Sequence, residues 1–294
     1  MSARAVGLLI GFAADRVLGD PPRRHPVAGF GTIANRFEHR IYADSRARGT
    51  VYTVALVGSV LALGAASEWW VRGTPAGRVA VTAMGTWVVL GGRSLEREAS
   101  AIAAQLQDGD LSSARRRLTH LVARETSTLS SEEIARAVVE SVAENTSDAV
   151  VAPLLWGAVL GVPGLLGYRA VNTLDAMVGY RSDRYRNFGW PSARLDDWVN
   201  LLGARLAGVL VGVSDPKRAG DSWRIWIRDA ASHPSPNAGV VEAAFAGSLG
   251  IRLGGTNTYH GVEESRSELG EGPLPAVSDI TSAVVLARRV GVAS

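Results

Sequence analysis

Residues 139–185 read VESVAENTSDAVVAPLLWGAVLGVPGLLGYRAVNTLDAMVGYRSDRY. This stretch decides the fold, because charged and amide side chains lie on both sides of an apolar run that begins at Ala149. Residues 149–171 are about long enough to span a membrane, but Val162-Pro163-Gly164 interrupts their middle. A broken, re-entrant pair of half-helices would bring the two polar flanks to one side, whereas a single kinked span would separate them. We prefer the re-entrant form.

The first flank carries three carboxylates, Glu140, Glu144 and Asp148, at positions i, i+4 and i+8. On a helix this spacing places them on one face within about 80° of arc. Like charges in this arrangement repel one another unless water, an arginine or a divalent cation neutralises them. The pattern therefore indicates a candidate cation site on the helix that leads into the apolar run.

The second flank combines amide, acidic and basic side chains. Asn172 and Asp175 lie one helical turn apart, and Arg181, Asp183 and Arg184 follow them. Arginine guanidinium groups match the oxygens of phosphates and carboxylates. A polar helix end followed by a solvated basic loop has the same composition, but ionisable residues beside a membrane run favour a functional role.

The composition predicts an all-α, multi-pass integral membrane protein. Hydrophobic residues make up 47% of the 294 residues, and the mean hydropathy is +0.10. That mixture is typical of several spans joined by polar loops. Lys217 is the only lysine, so nearly all the basic residues are arginines, a bias that a high-GC genome explains. The arginines cluster at the ends of the expected spans, as the positive-inside rule predicts. We therefore expect no nucleic-acid partner, and the absence of cysteine excludes disulfides and thiolate catalysis.

Residues 50–71 form the clearest expected span, and residues 79–90 return through the membrane as the second helix of a hairpin. Residues 5–18 are about one span long only if Asp15 and Arg16 pair or reach the interface. Residues 199–213 are expected to form a short span or a buried helix, and residues 280–292 a final apolar helix. Residues 94–147 are polar and helical in pattern, with Leu95, Ala99 and Ile102 at core spacing. We predict one membrane domain over residues 1–294, with residues 94–147 as a helical cytoplasmic insertion.

Two more segments add candidate binding residues. Arg23, Arg24 and His25 crowd a proline-rich turn near the N-terminus. His233 and Asn237 lie in a turn that leads into a helix bearing Glu242.

Three further expectations concern local structure. Residues 254–257, Gly-Gly-Thr-Asn, are interpreted as a permissive loop whose amides approach a ligand, with residues 263–272 as an exposed acidic linker. Asp196 and Asp197 are expected to open a helix as favourable N-terminal charges. Gly29-x-Gly31-x-x-Ala34 imitates a dinucleotide fingerprint, but no βαβ pattern surrounds it.

Five ordered blocks of this chain resemble one family, the cobinamide-phosphate synthases of cobalamin biosynthesis known as CobD or CbiB. The blocks are residues 15–31 (DRVLGDPPRRHPVAGFG), 140–155 (ESVAENTSDAVVAPLL), 168–190 (YRAVNTLDAMVGYRSDRYRNFGW), 195–200 (LDDWVN) and 233–247 (HPSPNAGVVEAAFAG). The resemblance implies a membrane enzyme that joins a carboxylate of adenosylcobyric acid to (R)-1-aminopropan-2-ol or its phosphate. It also implies ATP consumption, with Mg²⁺ expected.

The implied chemistry assigns roles to the candidate residues. Glu144, Asp148 and Asp175 are the expected catalytic, Mg²⁺-binding carboxylates. The expected substrate-binding residues are Arg23, Arg24, His25, Asn145, Asn172, Arg181, Asp183, Arg184, His233, Asn237, Glu242 and Asn257. No P-loop motif is present. Glu140, His233 and Glu242 remain alternative general bases.

Two other readings of the residues stay open. One is a Mg²⁺-dependent membrane transferase acting on a diphosphate or prenyl substrate, and the other is a non-catalytic assembly subunit that binds corrinoids. If the protein is the ligase, we expect it to lie in the plasma membrane, in contact with the lipid bilayer, with its active site facing the cytoplasm. Other enzymes of the pathway are expected partners, and an oligomer is one option.

Overall fold

A computed structural model of the chain describes residues 1–20, 25–180, 182–259 and 262–294, with side chains described for all of these except 257–259 and 262–264. The described residues are mostly helical. The helices are α1 Ala3–Leu18, α2 Pro26–Ile41, α3 Arg46–Trp70, α4 Pro75–Val89, α5 Gly92–Gln107, α6 Leu111–Leu118, α7 Ser131–Thr146, α8 Ala152–Leu160, α9 Val162–Val178, α10 Trp190–Ser214, α11 Ala219–Asp229, α12 Ala238–Leu249 and α13 Val277–Ala293. A π-helical turn, Ser147–Val151, joins α7 to α8, and strands β1 Arg252–Tyr259 and β2 Val262–Gly270 form a hairpin.

The chain divides into two compact units. The first contains residues 1–91 and 152–200, and the second contains residues 92–151 and 201–294. The polar segment expected as an insertion therefore folds together with the C-terminal third of the chain. That the two units form one membrane domain stays a prediction.

In the first unit, α4 packs chiefly against α1, and α3 packs chiefly against α9. Residues 50–71 and 79–90 were predicted to form a hairpin of two helices packed against each other. The two helices are present, but the predicted packing is wrong, because α3 and α4 make few contacts with each other. Small residues explain the pairing of α1 with α4. A Cβ atom on Gly7 would lie 2.5 Å from Thr82 Cβ, and one on Gly11 would lie 2.4 Å from Thr86 Cβ, so glycine lets the two backbones approach closely.

The break predicted near Pro163 is present, between α8 and α9, which pack against each other. Gly161 makes the turn with φ +71°, and Pro163 lies in the first turn of α9, where a missing amide costs nothing. Arg4 Nη1 donates to the carbonyls of Ala158 and Val159 at 3.1 Å each. Glu68 Oε1 accepts the Val162 amide at 2.9 Å. A cation and a carboxylate thus satisfy the two helix ends that the break creates.

In the second unit, α7 and α12 are the most buried helices. Every residue from Ile134 to Ala143 and from Ala238 to Ser248 is buried. Ser130 and Glu133 form the predicted capping box at the start of α7, and the predicted core spacing is confirmed, since Leu95, Ala99 and Ile102 lie in the same hydrophobic cluster. Charged side chains on α7 and α12 are therefore held within a packed core, which positions the site described below.

The hairpin of β1 and β2 corrects two expectations, the permissive loop at residues 254–257 and the acidic linker at residues 263–272. The strands pair in antiparallel register from Arg252 with Gly270 to Tyr259 with Val262, with a bulge between Leu253 and Gly255. Gly254 and Gly255 have φ values of +86° and +91°. Two adjacent glycines resemble a loop in the sequence, but here they supply the left-handed bulge of a strand.

Among the described helices, α3 alone is both long and apolar enough to cross a membrane, with 25 residues and a mean hydropathy of 1.7 over its most apolar window. Only 33% of that window is buried within the protein. Trp69 and Trp70 at its end are 60% and 83% exposed, as expected for residues at a membrane interface. The other expected spans stay predictions.

Candidate active site

The second unit contains a cluster of ionisable side chains centred on α7. Glu140 forms a buried ion pair with Arg124, and its Oε1 lies 4.0 Å from Nε of Arg136. The three side chains are each no more than 8% exposed. A carboxylate in the core is costly unless it is paired, and two guanidinium groups supply the pairing here.

Arg136 and Glu140 also bind the backbone of the hairpin. Glu140 Oε1 accepts the Gly254 amide at 2.9 Å, and Arg136 donates to the carbonyls of Gly254 and Thr256, the latter at 2.9 Å. A Cβ on Gly255 would lie 2.6 Å from Arg136 Nη1, so the glycine allows the arginine to approach the strand. Glu140 is therefore occupied by structural contacts, which removes it as a candidate general base.

Glu144 lies one turn beyond Glu140 and is different in character. Its side chain is exposed to solvent, and it makes no hydrogen bond or ion pair with the part of the chain that the structure describes. Crowding by the surrounding protein raises the pKa of the Glu144 carboxyl, and the charge of Glu140 adds to this, while Arg266 and Arg124 oppose it. Glu144 is thus an exposed carboxylate whose charge interacts with those of Glu140, Arg124 and Arg266.

Glu242 and His233 form the other side of the cluster. Glu242 is 4% exposed, and its Oε1 lies 3.8 Å from His233 Nε2. Burial raises the pKa of Glu242 well above its ordinary value, and Glu140 and Glu144 raise it further. The Ser235 amide lies 3.0 Å from His233 Nδ1, which assigns the imidazole proton to Nε2, on the side of Glu242. The two side chains lie within ion-pair range but beyond hydrogen-bonding distance.

The remaining predicted residues of this unit have mixed environments. Asn145 Nδ2 donates to the Ser141 carbonyl at 2.9 Å, so its side-chain amide is bonded to the backbone of its own helix, one turn earlier. Asn237 accepts a hydrogen bond from Arg205 at 2.9 Å just before α12. Asp148 lies in the π-helical turn, a feature frequent at functional sites.

The predicted Mg²⁺ set is divided between the units, since Glu144 and Asp148 belong to the second and Asp175 belongs to the first. Within the described ranges, no group of three or more Asp, Glu or His side chains is arranged to hold a metal ion. Arg23, Arg24 and Arg181 lie outside the described residues, and so does the side chain of Asn257. The structure therefore gives no position for these predicted ligands.

A second polar network lies in the first unit, and its centre is Asp196. Asn200 Nδ2 donates to Asp196 Oδ2 at 2.9 Å, and Tyr168 donates to Asn200 Oδ1 at 2.7 Å. Burial raises the pKa of Asp196 to about 8, and the neighbouring Asp175 contributes to the shift. The predicted role of Asp196 as an N-terminal helix charge is wrong, because α10 begins at Trp190, more than one turn earlier.

The network continues through Arg169 to His25. Arg169 Nη1 lies 3.4 Å from Asn172 Oδ1, and the Asn172 amide lies beside Asp196. His25 caps α2 by accepting the Val27 amide on Nδ1 at 3.2 Å, and its Nε2 lies 4.0 Å from Asp20 Oδ1. Burial and the positive charge of Arg169 lower the pKa of His25, although Asp20 opposes them. The charge of Arg169 therefore acts on His25, and Asn172 lies within hydrogen-bonding distance of the same guanidinium.

Asp183 and Arg184 lie apart from that network. Asp183 is exposed. Arg184 donates to Glu38 at 2.9 Å and stacks over the ring of Tyr42 at 4.1 Å, so its guanidinium already has partners.

Sequence reasoning missed several residues of both clusters: Arg124, Arg136, Tyr168, Arg169, Asp196 and Asn200. Asp196 and Asn200 had a usable signal, because they lie four residues apart on a helix and Asn200 interrupts an apolar run. Arg124 had none, since it lies in a short irregular segment before α7.

Comparisons with known proteins agree with the five sequence blocks. The CobD/Cbib protein family model matches residues 8–287. The cobalamin biosynthesis protein CobD of Mycobacterium tuberculosis is 53% identical over 291 residues, which cover 98% of this chain and 92% of that protein. The protein of the same name from Chromobacterium violaceum is 42% identical over 293 residues, covering 97% and 92%. No solved structure matches the chain. The chain therefore belongs to the CobD/Cbib family.

Proposed function

We propose that the protein acts in cobalamin biosynthesis as an amide-forming ligase. It joins a side-chain carboxylate of adenosylcobyric acid to (R)-1-aminopropan-2-ol or its phosphate, with consumption of ATP. Family membership over residues 8–287 and relatives named cobalamin biosynthesis proteins support the pathway. The observation that carries the reaction is Glu144, an exposed carboxylate whose charge acts on Glu242 of the Glu242–His233 pair.

The reaction needs two balanced steps. The substrate carboxylate attacks the terminal phosphorus of ATP, forming an acyl phosphate and releasing ADP. The amine nitrogen then attacks the acyl carbon, the C–O bond to phosphate breaks, and inorganic phosphate leaves. The ammonium form of the amine loses one proton before attack and the nitrogen loses a second afterwards, so the site needs proton acceptors. In this proposal Glu242, with His233 beside it, accepts a proton.

The carboxylates of the second unit suit a Mg²⁺ ion that is bound together with a nucleotide. Mg²⁺ usually binds one or two carboxylates together with phosphate oxygens and water, so a cluster of three protein ligands is not required. Glu144, which is exposed, and Asp148 in the π-helical turn are the proposed ligands from the second unit, and Asp175 of the first unit is kept as a separate proposed catalytic carboxylate. Bound Mg²⁺ would neutralise the phosphate charge that develops during transfer. Arg23, Arg24 and Arg181 are proposed phosphate ligands.

We propose that the enzyme resides in the plasma membrane with several spans. The exposed apolar surface of α3 and its terminal tryptophans support this location. Fractionation of cells that express a tagged chain checks it. Retention in the membrane pellet after an alkaline carbonate wash is the expected outcome, and release into the supernatant would contradict integral insertion.

The ligase is tested with purified, detergent-solubilised protein, adenosylcobyric acid, the amine or its phosphate, ATP and Mg²⁺, with the product identified by mass. We expect ATP-dependent product from the wild type and from the control Glu132→Gln, whose carboxylate is exposed in the first turn of the same helix. Glu144→Gln and Asp175→Asn are expected to lose product. Pyrophosphate release without an ATP requirement, or no product from folded wild type, would contradict the proposal.

A further inference from the structure

Arg266 on β2 is a cation of the second unit that the two reaction steps above do not use. Its charge acts on both Glu144 and Glu242, and its Nε atom is closed to solvent. These carboxylates belong to two different helices, α7 and α12, so the guanidinium lies near both helices. The geometry of the hairpin explains how a strand places a cation there.

The register of the hairpin turns the side chain of Arg266 toward the interior. Leu253 is paired with Leu269, which is fully buried. In the next pair, Gly255 with Arg266, β1 has advanced by two residues and β2 by three. The extra residue on β2 is a bulge, and it brings Arg266 to the same face of the strand as Leu269. Strict alternation would place it on the opposite face.

This face of the hairpin lies against α7. A Cβ atom on Gly255, the partner of Arg266 in the register, would lie 2.6 Å from Nη1 of Arg136. Paired residues of antiparallel strands project on the same side of the sheet, so Arg266 also projects toward α7. The backbone geometry therefore agrees with the action of its charge on Glu144.

Hydrogen bonds to helices fix both strands of the hairpin. Glu140 on α7 accepts the Gly254 amide of β1 at 2.9 Å. Asp229, the last residue of α11, accepts the Gly270 amide of β2 at 2.8 Å. The strand that carries Arg266 is thus anchored to the helical core, which limits the positions that its guanidinium can take.

The charges around Arg266 favour an anionic ligand. Glu140 already pairs with Arg124, and Arg136 donates to backbone carbonyls, so these three groups are committed to the fold. In the proposed ligase Glu144 binds Mg²⁺. The positive charges of Arg266 and Mg²⁺ together outweigh the negative charges of the neighbouring carboxylates, and a negatively charged ligand restores the balance.

The position of Arg266 beside Glu144 and Glu242 favours the reacting carboxylate as this ligand. In the proposed reaction, Glu144 acts on the phosphate side and Glu242 accepts a proton on the amine side. The substrate carboxylate is the one group that meets both the phosphate and the amine. A guanidinium also matches the two oxygens of a carboxylate with two parallel N–H donors.

We propose that Arg266 is a further catalytic residue, which binds the substrate carboxylate of the corrinoid and holds it between Glu144 and Glu242. The inference rests on the proposed ligase function, and it adds a residue from the hairpin to a site otherwise built on helices. It also gives the bulge of β2 a role, because the bulge aims the guanidinium.

The test is calorimetric binding of two probes to the purified, detergent-solubilised full chain, with Mg²⁺ present and without ATP or amine. The probes are adenosylcobyric acid and its primary amide, in which a neutral group replaces the reacting carboxylate. We expect the acid to bind about tenfold or more tightly than the amide, because only the carboxylate makes charged hydrogen bonds with Arg266. Equal binding of the two probes would overturn the proposal.

Variants assign the difference to Arg266. Arg266→Gln should weaken binding of the acid about tenfold or more and leave binding of the amide unchanged. Arg266→Lys should show a smaller loss, because an ammonium keeps the charge but not the paired donors. Arg252→Gln is the matched control, since Arg252 lies on the other strand and pairs with Glu268 at 3.1 Å. It should bind both probes as the wild type does.

Two further measurements separate this role from a structural one and from phosphate binding. Circular dichroism and thermal midpoints report folding, and if Arg266→Gln does not fold, the comparison of acid with amide in Arg266→Lys carries the test. Binding of ATP should be the same in the wild type and in folded Arg266→Gln. A loss of ATP binding with unchanged binding of the acid would assign Arg266 to a phosphate and overturn the proposal.

The outcomes for this inference and for the ligase are distinguishable. Amide product from the wild type, with unchanged binding of the acid in folded Arg266→Gln, would overturn the role of Arg266 and leave the ligase standing. The expected binding pattern without amide product under any condition would overturn the ligase and leave Arg266 as a carboxylate-binding residue. Where product is formed, Arg266→Gln should raise KM for the acid and lower kcat.

Discussion

Glu140 on α7 accepts the amide of Gly254 on β1 at 2.9 Å, so a buried glutamate joins the helix to the hairpin. The same carboxylate pairs with Arg124, and removing one member of a buried pair leaves the other charge uncompensated. We expect Glu140→Ala to lower the free energy of unfolding by about 3–5 kcal/mol. It should also speed amide hydrogen exchange in residues 252–270, measured by mass spectrometry.

The control for this prediction is Glu132→Ala on the exposed first turn of the same helix. It should change the free energy of unfolding by no more than about 0.5 kcal/mol. Unchanged hydrogen exchange of the hairpin in Glu140→Ala would show that the hairpin does not depend on this contact.

Gly161 between α8 and α9 gives a second prediction. A Cβ at this position would lie 2.2 Å from Glu68 Oε1, and the backbone has φ +71°, which residues other than glycine rarely adopt. Gly161→Ala should therefore destabilise the protein by about 1–3 kcal/mol, seen as a lower thermal midpoint in detergent.

Gly58 is the matched control for that substitution. It lies within α3, and a Cβ there meets nothing within 4 Å. Gly58→Ala should leave the thermal midpoint unchanged or raise it, since alanine favours a helix by up to about 1 kcal/mol over glycine. Equal effects of the two substitutions would mean that the turn at Gly161 is not strained.

The helices and the break between α8 and α9 were predictable because their signals are local. Pro163 fixes a helix start, and apolar spacing around Leu95 predicts a buried face. The Ser130 capping box predicts the start of α7 in the same way.

Pairings between distant segments were not predictable. Spacing placed Glu140 and Glu144 on one face of α7, but it gave no means to distinguish the structural carboxylate from the accessible one. That difference arises from Arg124 and the Gly254 amide, which come from other parts of the chain. Asp196 was misplaced for a different reason, since Pro191 in the first turn of α10 is a helix-start signal that was not used.

The stability of the protein should depend on the titration of Asp196. Its pKa is raised to about 8 in the folded protein from an ordinary value of 3.8, so the folded state binds more protons than the unfolded state between these values. Stability should therefore fall as the pH rises from about 4 to about 8, by at most about 1.4 kcal/mol per pH unit.

Thermal midpoints measured across this pH range check the dependence. Asp196→Asn cannot titrate, so its midpoint should fall less steeply with pH than that of the wild type. Asp197→Asn should keep the wild-type slope. A slope that is the same in all three proteins would contradict a raised pKa at Asp196.

Asp148 and Glu144 are predicted to respond differently to Mg²⁺ in the amide-forming assay. Glu144 is exposed and has no described partner, so we treat it as the main ligand, whereas Asp148 lies in the following π-helical turn and assists. Asp148→Asn should raise the Mg²⁺ concentration for half-maximal rate about tenfold or more while retaining most of kcat at saturation. Glu144→Gln should have a reduced kcat at every Mg²⁺ concentration.

Asp108→Asn is the control for this prediction, because Asp108 is an exposed carboxylate in a turn. If Asp148→Asn shows the same Mg²⁺ dependence as the wild type, Asp148 is excluded as a ligand.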